Sequence, residues 1–192
     1  AASAAPSIPR QYLSASMGDS ALGIYASVAA PVAIIQMGAS YIYNPLLGYL
    51  STAYAERDFR GFYRLFFLTF VGIVALGVVC AIGLEFLGPV LLPLVYGESI
   101  LDYVYLLQPL VLCAVVTGVG WFINDLLIAI RNFKSTLVGS LVGLGASLIV
   151  MAPFQAFFEL NAVTMTSIFS GLLSSAFMLV CLALQIKKWI KG

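Results

Sequence analysis

Asp125 is the one acid set well inside an apolar run of this chain, LVLCAVVTGVGWFINDLLIAI (110–130). An ionisable group in such a run is costly and marks either a structural pair or an ion or proton pathway. Arg131, six residues on, is the expected partner for the first reading. Cation or proton coupling is the second. Gln36, Ser40 and Asn44 recur every four residues, so they share one helix face. Amides are poorly tolerated against hydrocarbon, so that face serves interhelical hydrogen bonding or lines a hydrated cavity. Asn124 adds an amide beside Asp125. The basic candidates are Arg10, near the start, and Arg131 and Lys134, in a connector. These could meet phosphate charge, or could sit at the bilayer interface for topological reasons alone.

Several chemistries lack their residues. The chain has no histidine, so Ser-His nucleophiles and imidazole metal sites are ruled out. No GxxxxGK[ST] phosphate loop, HExxH or GxSxG elbow occurs. Asp19, Asp58, Asp102 and Asp125 lie far apart, so no acidic metal cluster is written in the sequence. Cys80, Cys113 and Cys181 fall in apolar runs and are expected to be reduced packing residues. The expectation is a protein that is not an enzyme and needs neither metal nor cofactor.

The elements that must position these side chains follow from where charge is absent. Residues 20–55, 65–84, 103–124, 135–158 and 160–186 contain no Asp, Glu, Lys or Arg. Each run reaches the roughly 20 residues a helix needs to cross a bilayer core of about 30 Å. Hydrophobic residues make up 62% of the chain and charged residues 9%. A soluble domain carries about 25% charged residues and could not hide this apolar surface. The reading is an all-α, polytopic transmembrane bundle of about five spans, near 22–50, 63–86, 104–130, 135–157 and 162–186. Residues 1–21 form an N-terminal stretch ahead of the 22–192 bundle. GPVLLPLVYGES (88–99) is expected to be a separate short interfacial turn or helix, because of its two prolines and two glycines.

Eight of the nine Lys and Arg residues fall on one side of these spans: Arg57, Arg60 and Arg64, then Arg131 and Lys134, then Lys187, Lys188 and Lys191. The positive-inside rule makes that side cytoplasmic, with the N-terminal stretch outside. Net charge is +1, which gives no reason to expect nucleic acid. Small residues mark the last two spans, with Ser135, Gly139, Gly143 and Ser147 in one and Ser167, Gly171 and Ser175 in the other, Ser170 and Ser174 lying beside them. Stripes of this kind allow close helix approach, and the two are expected to face each other.

Motifs in order along nearly the whole chain resemble the polysaccharide-export flippases, relatives of the multidrug and toxin extruders. They are Pro9-Arg10 with Gly18 and Ala21-Leu22-Gly23-Ile24-Tyr25, Asn44-Pro45, Asp58 to Phe62, Leu94-Val95-Tyr96-Gly97, and Ala129-Ile130-Arg131-Asn132-Phe133-Lys134. The resemblance implies the C-terminal bundle of a two-bundle transporter in a bacterial inner membrane, with the N-terminal bundle missing. It also implies a lipid-linked oligosaccharide as cargo, moved across the bilayer for capsule, exopolysaccharide or O-antigen assembly. Gln36, Ser40, Asn44 and Asn124 would then touch sugar, Arg10 would meet phosphate at the outer mouth, and Arg131 and Lys134 would attract pyrophosphate at the inner one. The bilayer, and possible contacts with a polymerase or glycosyltransferases, complete the implied partners. The competing readings are a drug/cation antiporter using Asp125, and a non-transporting scaffold.

Overall fold

A computed structural model describes residues 19–158 and 161–191. It consists of α1 (Asp19–Ala55), α2 (Phe59–Tyr96), a 3-10 segment (Glu98–Leu106), α3 (Leu107–Ala129), α4 (Phe133–Phe158) and α5 (Ala162–Lys191). No strand occurs among the described residues. At about 1.5 Å per residue even α3, with 23 residues, is roughly 35 Å long. Five helices are therefore long and apolar enough to cross a membrane. Large side chains such as Ile34, Phe67, Phe86, Ile149 and Leu184 point outward from the bundle. Lipid tails accommodate such a surface and water does not. The chain is a multi-pass helical membrane protein.

α3 is the axis of the bundle. Its most apolar stretch is 56% buried, against 17–28% in the other four helices. α1 and α2 pack against it on one side and α5 on the other, and α5 lies between α3 and α4. One core cluster joins Tyr25, Val28, Val32 and Ile35 to Leu106, Leu107, Leu110 and Val111. A second joins Tyr43, Leu50 and Tyr54 to Phe62, Phe122, Ile123, Leu126 and Leu182. The α1 contributions step by three and four residues, as one face of a helix must.

One helix end differs from expectation. Residues 88–96 are a continuation of α2, which runs through Pro89 and Pro93 to Tyr96. The reason is packing: Gly88 is buried so close to Leu107 that a Cβ there would come within 2.6 Å of it. Gly97 stops the helix, with φ +88°, a conformation that side chains resist. The 3-10 segment then delivers the chain into α3. α1 also passes through Pro31 and Pro45 without interruption.

Arg57 and Arg131 mark two connectors with the same construction. In each, the arginine has φ near +60° at the second residue past the helix. The next backbone N–H donates five residues back: Asp58 to the Ala53 carbonyl (2.9 Å) and Asn132 to the Leu127 carbonyl (2.8 Å). The arginine N–H donates to Tyr54 in one case and Ile128 in the other. These pairs define a Schellman turn. Asp58 and Asn132 then accept from the Gly61 and Ser135 N–H groups and cap the following helix. Both turns read Arg-Asx-Phe followed by Arg or Lys, and together they form the basic end of the bundle.

Candidate functional site: a polar groove floored by α3

Along α3, Cys113, Thr117, Trp121 and Asn124 recur at spacings of three and four residues and so share a face. Ala114, Phe122, Ile123 and Leu126 turn inward and seat the helix in the core. On the other face Cys113, Thr117 and Asn124 are half-buried and Trp121 is exposed. A cavity of about 250 Å³ lies between α1, α3 and α5, lined by Gln36, Cys113, Thr117, Trp121 and Ser167 among others. A second, of about 120 Å³, continues between α3, α4 and α5 past Asn124, Ser140, Ser170 and Ser174. Thr117, Trp121 and Ser167 line both, so the two are one groove. Among the described residues no charged side chain lines it.

The walls are pinned by side chains far apart in sequence. Tyr25 on α1 and Thr164 on α5 share a buried hydrogen bond of 3.2 Å. Nearer the basic end, the Tyr43 hydroxyl donates to Asp125 Oδ2 at 2.9 Å. At that end the Asn132 amide donates to Gln185 on α5. The groove hydroxyls are already committed locally. Thr117 donates to the Cys113 carbonyl at 2.7 Å and Ser167 to the Val163 carbonyl at 2.8 Å. Their oxygen lone pairs remain open to the groove.

Of the expected stripe, Gln36 lines the groove. Ser40 donates to the Met37 carbonyl of its own helix at 2.7 Å, and Asn44 is exposed outside the groove. Asn124 lines the second cavity and donates to Asp125 Oδ1 at 3.3 Å. Asp125 is not paired with Arg131. Arg131 lies past the end of α3, exposed in its left-handed turn, while the carboxylate is met by Tyr43 and Asn124. Lys134 is likewise exposed at the basic end, outside the groove. Arg10 lies outside the described residues.

The last two helices pack small face to small face as expected, through Ser170 and Ser174 of α5. Gly139 and Gly143 of α4 face Ser170, Ser174 and Met178. Ser174 also donates to the Gly139 carbonyl at 2.8 Å. The Gly171 and Ser175 stripe turns instead to α3, meeting Val116 and Gly120, and Ser167 faces the groove. α5 carries two small faces because it is wedged between two helices. Ser147 is fully buried, and the Ser135 N–H is part of the α4 cap.

Trp121, Tyr43, Tyr25, Thr164 and Gln185 were not singled out in the sequence. Trp121 did carry a signal: tryptophan in a span usually sits near an end, and this one is eight residues inside α3. The tyrosine and glutamine contacts are long-range and leave no local pattern. No known protein family, curated protein or solved structure matches the chain.

Proposed function

We propose that this protein is a membrane flippase for lipid-linked oligosaccharides, with its basic end in the cytoplasm of a bacterial cell. The observation that carries the reading is a groove in an otherwise lipid-compatible bundle whose largely apolar walls carry Gln36, Thr117, Trp121 and Ser167, with no charged side chain among the described residues. Polar side chains at such a depth are expensive unless protein, water or cargo meets them. A partly enclosed groove between helices suits cargo whose sugars must leave water while the lipid tail stays in the bilayer. The order of motifs that resembles the polysaccharide-export flippases supports the same reading. No bond is made or broken; the groove is exposed alternately to either side as bundles rock against one another.

The test is reconstitution in vesicles with a fluorescent polyprenyl-pyrophosphate oligosaccharide, following the label's accessibility in each leaflet. The protein should accelerate exchange, and Gln36→Leu should slow it several-fold. Exchange no faster than in empty vesicles overturns the reading. Asp125, hydrogen-bonded within a span and away from any cation, supports a second reading as a cation-coupled antiporter. That reading requires cation uptake that Asp125→Asn abolishes.

A further inference from the structure

Trp121 stands where the two cavities meet, 41% exposed. Its indole N–H makes no hydrogen bond among the described residues. Around it the groove offers a particular set of polar atoms. Thr117 and Ser167 have given their protons to their own helix and present lone pairs. Asn124 lines the smaller cavity, but its Oδ1 is sealed from it and is not among the atoms a ligand meets. Gln36 and Trp121 supply donors. The set is rich in acceptors, contains donors and carries no charge.

A ligand matched to this set has many hydroxyl donors, some acceptors, no net charge, and an apolar face to lie on an indole. An uncharged pyranose fits each requirement: its hydroxyls radiate around the ring edge, and its axial C–H bonds form a flat, weakly positive face. The indole face is electron-rich and attracts such a surface. Phosphate and carboxylate do not fit, because among the described residues no cation lines the groove and a bare anion would be desolvated without compensation. The exposed basic residues Arg57, Arg60, Arg64, Arg131 and Lys134 lie at the bundle end instead. The 250 Å³ of the larger cavity falls just below the roughly 300–1,000 Å³ of ordinary small-ligand pockets, so it takes a short sugar segment rather than a polymer.

We infer that the groove holds the neutral sugar portion of the cargo, with Trp121 as its stacking platform, and that the pyrophosphate is handled outside it. The inference rests on the flippase reading and deepens it. The protein has two tryptophans, so Trp189→Phe leaves Trp121 as the sole indole reporter. With that protein in detergent, methyl glucoside and methyl galactoside should shift the emission saturably. Glucuronate and inorganic pyrophosphate at equal concentration should not. In the vesicle assay Trp121→Ala should slow exchange of a neutral oligosaccharide about tenfold, and Trp121→Phe should restore most of the rate. A saturable response to pyrophosphate or glucuronate alone, or to none of the probes, overturns the inference. Full exchange by Trp121→Ala also overturns it and leaves the flippase reading standing. If the unaltered protein exchanges nothing, the flippase reading fails, and the fluorescence result alone decides whether the groove is a sugar site.

Discussion

The Tyr43 hydroxyl donates a hydrogen bond to a carboxylate within the bundle. The Tyr43–Asp125 contact joins residues 82 apart, and both carboxylate oxygens have partners once Asn124 is counted. A hydrogen bond to a charged group contributes about 1.5–3 kcal/mol, and losing the donor leaves the acceptor short. Tyr43→Phe should therefore lower the thermal unfolding midpoint in detergent clearly. Asp125→Asn should lower it less, because the amide oxygen can still accept from Tyr43. Equal midpoints for Tyr43→Phe and the unaltered protein would show that the contact is not a structural bond. The position of Asp125 inside a span was legible from its apolar neighbours. Its partner was not, since Arg131 is nearer in sequence and tyrosine is common in such helices. The turn after Ala129 decides the matter by directing Arg131 away.

Proline and glycine are weaker guides to the ends of these helices than their reputation suggests. Pro31, Pro45, Pro89 and Pro93 all lie inside helices, while Gly97 ends one. Inside a membrane a helix interrupted by proline is still the best way to satisfy the remaining backbone groups. That constraint explains why five spans could be read from charge spacing although the 88–96 segment could not. The paired connectors are a different case. Both place arginine where glycine is the relaxed choice, and a left-handed side-chain residue costs roughly 1 kcal/mol. Arg57→Gly and Arg131→Gly should each raise the unfolding midpoint, while Gly97→Ala should lower it. A fall in both arginine variants would mean that the side chains hold the turns together. The close approach of α4 to α5 was legible as stripes of small residues. Which stripe meets which was not, because α5 presents such residues on two sides.

At the scale of the molecule the groove makes a prediction about water. Gln36 and Thr117 are half-buried along it, whereas Val28 and Ile123 are sealed in the core. With the native cysteines Cys80, Cys113 and Cys181 replaced by alanine, single cysteines at 36 and 117 should react with a water-soluble maleimide. Those at 28 and 123 should stay protected. Protection at all four would mean that lipid, rather than water, fills the groove. Composition alone made the bundle legible, but the groove depends on how α1, α3 and α5 are arranged, and no local pattern records that arrangement.

The wedged position of α5 also bears on how the protein is made. α4 emerges from the ribosome before the helix that supplies most of its neighbours, and it touches α3 only slightly. It must wait in the bilayer, shielded by lipid, until α5 arrives and slots between the two. A ribosome that stalls after Phe158 would leave α4 without its main neighbour while α3 stays packed on α1 and α2.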